Sequence, residues 1–262
     1  MKLFSLVFII FLGIGFSGCF SSSVEAPQQV IFNEKNSNGI DEELDEFADE
    51  MEVKEVYDPF SGYNRAMTTF NDGAYEYVFK PVAKGYEAVL HKNIRLSVEN
   101  FFHNLYFPVR VVNNLLQAKF ENSAEETGRF VVNSTVGILG LFDPAKSEFG
   151  LEKHEEDFGQ TLGFYGVGSG PHIVLPLWGP SNLRDALSLY PDNLVSPFDY
   201  EDRDYYALTD TWGEFLVATS IEKINKTSLY MDKYDKLKED AVDLYPYLRD
   251  VYEQYRAKQI EE

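Results

Sequence analysis

The sole cysteine of this 262-residue chain, Cys19, follows directly on an apolar leader, and that placement limits the fold more than any other feature. Lys2, an uncharged stretch from Leu3 to Phe16, and small residues before a cysteine form the pattern of a bacterial lipoprotein signal. Cleavage is expected to make Cys19 the new N-terminus, acylated on sulfur and amine. Each buried CH₂ contributes about 0.8 kcal/mol and stable anchoring takes roughly two chains, so multiple acylation suffices. The stretch is short for a transmembrane span, which needs about 20 residues. A signal peptide with an incidental cysteine, or an uncleaved anchor, are the other readings. With Cys19 committed no thiol remains, so a body outside the cytoplasm has to stand without disulfides.

Charge divides the rest into two parts. Between Phe20 and Tyr57 eleven Asp and Glu face only Lys35 and Lys54, nearly half of the total net charge of −20. Such a segment cannot bury enough apolar surface to offset its ordering entropy, which predicts a flexible acidic tether over 19–56. Leu44, Phe47, Met51 and Val56 leave room for a transient helix or a partner-binding motif there. The body is then 57–262, after a signal over 1–18. The acidic balance excludes nucleic acid as a partner, because phosphate backbones need clustered Lys and Arg, and it disfavours docking on anionic lipid headgroups.

Within the body, apolar spacing of three and four predicts a mainly helical fold. Asp58-Pro59 reads as a helix entry, leading into Tyr63–Leu90 with an interruption near Lys80-Pro81. A helix capped by Asn93 is expected through Leu105, another over Val109–Lys119 after a break at Pro108, and a fourth from a Ser123/Glu126 capping box. Helices are also expected from Ser181 to Leu189, from Tyr205 to Ile224, and from Leu229 to Gln259, broken or kinked at Pro246. Hairpin signals are scarce.

Two segments stand apart. Phe130–Phe142 carries no charge, and reads either as a buried core helix or as an element lying against acyl chains. Gly159–Pro180 sets six glycines and three prolines among apolar and aromatic residues. That glycine content opposes a stable helix, so compact irregular structure is expected, packed on the body or dipping into lipid.

Catalytic motifs fail when tested. Ser169 sits in GVGSGP, outside the frame of a Gly-x-Ser-x-Gly elbow. The same glycines meet Pro171 where a dinucleotide fingerprint needs its third glycine. His154-Glu155-Glu156-Asp157 places Phe158 where a zinc protease needs its second histidine. The reading is a protein that is not an enzyme, with no metal and no cofactor.

Several ordered motifs resemble the MlaA/VacJ outer-membrane lipoproteins of Gram-negative bacteria. They are Asp58-Pro59-Phe60, Gly62 to Met67 with Asn64 and Arg65, Phe70-Asn71, Lys80 to Ala83, Asn100-Phe101, Asn104-Leu105 and Arg129-Phe130. Further on come Asn133 to Thr135, Gly137 to Asp143 with Gly140, and Glu156 to Gly163 with Phe158, Gly159 and Gln160. The series ends with Tyr165, Gly166, Gly168, Gly170-Pro171 and Leu175-Pro176.

The resemblance implies a ring-like, helical, membrane-embedded body in the inner leaflet of the outer membrane, on the periplasmic side. Its central channel would let mislocalised phospholipid leave the outer leaflet. The lipid would pass to a soluble periplasmic carrier (MlaC-like) and on to an inner-membrane complex, with a trimeric porin as associate. The positions named above, from Asn64 to Pro176, are candidates for the channel or its frame, with Cys19 for lipidation. A non-transporting scaffold or adhesion lipoprotein of the envelope is the competing reading, and an esterase or phospholipase built on Ser169 is the third.

Overall fold

The computed structural model describes residues 58–198, 208–209 and 211–262. The expected leader, Cys19 and the acidic tether lie outside the described residues, and the expected helix from Tyr205 begins there too. From Phe60 onward the chain forms one unit. It is mainly helical: α1 (Ser61–Ala74), a π-helical turn (Tyr75–Phe79), α2 (Lys80–Val89), α3 (Lys92–Leu105), α4 (Phe107–Leu116), α5 (Phe120–Thr135), α6 (Pro144–Ser147) and α7 (Phe158–Phe164). Then come β1 (His172–Leu175), β2 (Gly179–Asn182), α8 (Leu183–Val195), α9 (Trp212–Asp240) and α10 (Leu244–Glu261). The strands form an antiparallel hairpin pairing His172 with Asn182 and Leu175 with Gly179. This hairpin is the piece that the sparse turn signals did not announce.

Most helices were placed correctly by periodicity, and most boundaries were not. Proline explains three of the shifts. It removes one N–H, but the first turn of a helix has N–H groups without intrahelical partners anyway. Pro81, Pro108 and Pro246 therefore all sit within first turns rather than at breaks. Ahead of Pro81 the chain stays helical by widening into the π turn, where the Lys80 N–H reaches Tyr75 O. The last break falls at 241–243, where the Asp243 carboxylate caps α10.

Caps moved for a related reason. Ser123 and Glu126 lie inside α5, buried, with Glu126 engaged by Arg110, so they do not form a capping box. His91 caps α3 in place of Asn93, and Asn182 caps α8 in place of Ser181, its Oδ1 accepting the Asp185 N–H at 2.8 Å. No side chain caps α1, which starts at Ser61, beyond Asp58-Pro59.

The helices pack as neighbours α4 on α5, α2 and α3 on α9, and α7 on both α8 and α10, while α1 lies along β1. The apolar core is small: Tyr75, Phe79, Ala83 and Met231, with Leu177 and Tyr234 against them. Beside it Lys80 bridges Glu76 and Asp235, and Lys238 bridges Asp72 and Glu76, tying the π turn and its flanks to α9.

Candidate lipid-facing surface and its polar frame

The helices are amphipathic in the inverted sense. On α8, Arg184, Asp185 and Ser188 are buried, while Leu183, Leu187 and Tyr190, at i, i+4 and i+7, are exposed, Leu187 at 66%. On α4, Asn113 and Asn114 point inward and Leu115 and Leu116 outward. On α5 the inward stripe is Ser123, Glu126, Arg129 and Asn133, with Phe120 and Val131 outside. On α1 it is Asn64, Thr68 and Asn71, with Tyr63 and Phe70 outside. Among the described residues thirty buried side chains are polar or charged and eleven are apolar, so the interior is held by hydrogen bonds more than by oil. A helix in water shows the reverse pattern. In lipid the pattern is the stable one, because polar groups there must find partners within the protein.

The motif Glu156–Gly163 builds the densest part of this interior. Asp157 caps α7, its Oδ1 accepting the Gln160 N–H at 2.8 Å. Arg256 of α10 donates to both Asp157 oxygens, at 2.7 and 2.8 Å, and to both Asp185 oxygens, at 2.9 and 3.1 Å. The Tyr252 hydroxyl and the Arg184 Nε donate to Asp185 as well, at 2.7 and 2.9 Å. Burial alone would raise both carboxyls; Arg256 overcomes it and holds them below the usual range. Gly159 lies against this cluster, where a Cβ would strike Asp185 Oδ1 and come within 2.7 Å of an Arg256 nitrogen. Gly163 is shut in the same way by Ile260 and Arg184. Glycine thus sits inside a helix at both positions for contact, which is why α7 forms despite its composition.

Next to it a second polar layer runs inward. Gln117 donates to Glu156 at 2.6 Å, Thr161 to Asn113 at 2.9 Å, and Asn113 to Asp192 at 2.9 Å. Lys119 binds Glu156 at 2.7 Å. Asp192 also accepts the Phe158 N–H. Burial, with the Asp157 charge nearby, pushes the Asp192 carboxyl up to about 7.

Asn64 and Asn71, seven residues apart on α1, clamp the hairpin. Asn64 donates to His172 O at 3.0 Å and accepts from Val174 N at 2.8 Å. Asn71 donates to Leu175 O at 3.0 Å and accepts from Leu177 N at 2.6 Å. Two helical turns carry the carboxamides about 10 Å along the helix, close to three strand residues at roughly 3.3 Å each, so both side chains meet one strand edge. They pair with that edge as a neighbouring strand would.

The uncharged segment does not continue as one helix. α5 stops at Thr135, and Val136–Phe142 folds into a tight tip with Ile138 and Leu139 at left-handed φ of 53° and 58° and Gly140 at 89°. Left-handed backbone costs a non-glycine residue roughly 1–2 kcal/mol. Here it turns Val136, Ile138, Leu139 and Phe142 outward, all more than half exposed. The buried-core-helix expectation is therefore overturned for this stretch. Beneath the tip, Arg129 Nη2 donates to both Asp143 oxygens, Asn133 donates to Asp143 at 2.9 Å and accepts the Ala145 N–H at 3.0 Å, and Gly140 rests on the Asn104 side chain. Gly137 is packed against backbone oxygens.

The other expected positions scatter. Arg65 is exposed and pairs with Asp243 at 2.6 Å, Phe158 opens α7, and Tyr165 ends it, exposed. Gly166, Gly168, Gly170 and Pro171 form the irregular link to β1, with Pro171 O accepting the Leu183 N–H; Pro176 begins the hairpin turn. Sequence reasoning missed Arg110, Glu126, Arg184, Asp185, Asp192, Lys223 and Arg256. The stripe Ser123, Glu126, Arg129, Asn133 was a usable signal, since it carries polar residues at the spacing normally apolar.

Among the described residues no helix is long and apolar enough to cross a membrane, and no cluster of His, Cys, Asp or Glu could hold a metal. Helices with polar interiors and apolar exteriors are the pattern expected of a class of proteins that contact lipid. The sequence comparisons agree with that class and narrow it. A sequence model described as "MlaA lipoprotein" matches residues 56–259, and the chain belongs to the MlaA family.

An uncharacterized protein of Rickettsia prowazekii (strain Madrid E) is 33% identical over 207 residues, covering 79% of each chain. The intermembrane phospholipid transport system lipoprotein MlaA of Escherichia coli (strain K12) is 32% identical over 199 residues, covering 74% of this chain and 75% of its own. A solved structure described under the structural basis for maintenance of bacterial outer membrane lipid asymmetry superposes with a TM-score of 0.66. It is 29% identical and covers 78% of this chain and 100% of its own.

Proposed function

We propose that this chain is an outer-membrane lipoprotein that takes mislocalised phospholipid from the outer leaflet and passes it towards the periplasm, preserving lipid asymmetry. The observation that carries the reading is the inverted amphipathicity of α1, α4, α5 and α8. Helices of 10–16 residues span about 15–24 Å, comparable with one leaflet of a hydrocarbon core roughly 30 Å thick. A body with an apolar outside and a hydrogen-bonded inside is stable there, and its polar interior offers a headgroup the path that acyl chains alone cannot. Membership of the MlaA family and the transport name of the E. coli relative support the same role.

The finer elements belong to this reading. Residues 1–18 act as the lipoprotein signal, acylated Cys19 anchors the chain on the periplasmic side, and 19–56 is a tether to a ring-like body. Of the candidate positions, exposed Phe70 and Tyr165 contact lipid, whereas Asn64, Asn71, Asn133, Gly159 and Gln160 hold the frame. A soluble periplasmic carrier receives the lipid, and a trimeric porin steadies the body. No step in this reading breaks a covalent bond, so it is not enzymatic.

The test is a strain lacking the gene, with surface phospholipid amines labelled by a membrane-impermeant reagent. Increased labelling, reversed by the wild-type chain and not by Leu187→Glu with Tyr190→Glu, is expected. Unchanged labelling in the deletion strain refutes the role.

A further inference from the structure

The hairpin turn is built more firmly than a connector needs. Asn71 holds both Leu175 O and Leu177 N. Leu177 adopts a left-handed φ of 67° and enters the cluster of Tyr75, Phe79, Ala83 and Met231. Strain of this kind persists only where the surroundings over-determine it. Its effect is to set the next residue, Trp178, over α9, with the Lys223 Nζ 3.2 Å from the centre of its ring.

Lys223 is unusual among the cations of the described residues. It is 9% exposed, and the indole face is its partner: among the described residues no salt bridge or hydrogen bond reaches its ammonium. The adjacent Glu222 is engaged elsewhere, accepting from the Tyr106 hydroxyl at 3.0 Å and pairing with Lys226 at 2.8 Å. By contrast Arg110, Arg129, Arg184 and Arg256, equally buried, each pair with carboxylates. Buried charges are ordinarily paired, and burial pulls the Lys223 ammonium down to about 7, with the nearby Glu222 charge offsetting only part of that. Trp178 is 41% exposed, so the ring covering the ammonium is itself reachable from outside.

We propose that Lys223, beneath the Trp178 indole, is a binding site for a phosphate group, either that of a phospholipid in passage or a free phosphate ion. An arriving phosphate supplies the missing counter-charge, accepts ammonium hydrogens that the ring cannot fully satisfy, and shifts the indole from its seat. In a chain of net charge −20, an unpaired buried cation is a point where an anion gains attraction without displacing a bound carboxylate. The lipid source rests on the transport reading above; the phosphate chemistry does not.

The experiment uses the full chain in detergent with Trp212→Phe, which leaves Trp178 as its one tryptophan. Dihexanoyl phosphatidate, inorganic phosphate and dihexanoylglycerol are titrated while Trp178 emission is followed, with thermal unfolding as a folding control. Phosphatidate is expected to shift the emission, Lys223→Met to weaken that response about tenfold or more, and Lys223→Arg to retain most of it. Dihexanoylglycerol is expected to do nothing. A response to phosphatidate at far lower concentration than to inorganic phosphate assigns the site to lipid, and equal responses assign it to the free ion. No response to either in the folded wild-type background overturns the proposal, as does an undiminished response in a folded Lys223→Met chain. Such a failure, with a labelling defect still present in the deletion strain, leaves the transport reading standing.

Discussion

Replacing Arg256 by methionine tests the polar frame at its densest point. Methionine keeps much of the side-chain volume but removes the four hydrogen bonds at 2.7–3.1 Å that tie α10 to Asp157 and Asp185. Deleting one partner of a buried ion pair costs about 3–5 kcal/mol, because the remaining charge is left without compensation. Asp185 keeps Arg184 and Tyr252, so the loss stays in that range instead of doubling. For a body of this size each kcal/mol moves the midpoint by about 2–4 °C, which predicts a fall of roughly 10 °C at pH 8, read by thermal unfolding in mild detergent.

The pH dependence of that fall is the sharper signature. In the wild type both carboxyls lie below their ordinary value, so their stabilisation is complete above the unfolded pKa and is lost as pH falls through the folded values. Without Arg256 burial dominates and both carboxyls rise, so the deficit is largest at pH 8 and shrinks towards pH 5. Adding Asp157→Asn to the variant restores part of the midpoint. A midpoint within about 2 °C of wild type at pH 8, or a deficit that widens on acidification, refutes the idea that charge pairing holds this region.

Gly159→Ala is expected to lower the midpoint substantially, since its Cβ meets a packed ion cluster; Gly168→Ala, with open space around it, serves as the paired measurement and should change stability little. Asp192→Asn keeps an acceptor for Asn113 and Phe158 and removes a half-buried charge. The wild-type carboxyl, raised to about 7, costs stability as pH rises from about 4 to 7, so the variant should gain about 2–4 kcal/mol at pH 8 and nothing near pH 4, read from unfolding midpoints across that range. Asn71→Leu should release the hairpin turn at a cost of about 1–3 kcal/mol and speed amide exchange at Leu177, with Asn64–strand bonds preserved.

Helix content was legible in the sequence because three- and four-residue spacing survives whichever way a helix faces. Orientation was not, because Leu115 and Leu116 or Leu187 and Tyr190 read as core residues under the rule for water, and the structure turns them outward. The glycine-rich motif could be recognised as a motif, while its cause, a Cβ-free seat for Asp185 and Arg256, needed residues almost one hundred positions apart to be brought together. The Asn64–Asn71 clamp was invisible for the same reason. Interruptions near prolines 81, 108 and 246 were legible, but each lies a few residues upstream, because the proline falls in the first turn of the helix that follows.

The central claim, that the apolar faces of these helices meet lipid, is tested most directly by depth-resolved fluorescence quenching. A single tryptophan at position 187, with Trp178 and Trp212 replaced by phenylalanine, is reconstituted with phospholipids brominated along their acyl chains. Strong quenching by tail bromines, with protection from aqueous iodide, is the predicted result. Quenching by iodide with none from the brominated tails contradicts it, and returns the exposed face of α8 to water or to a protein partner.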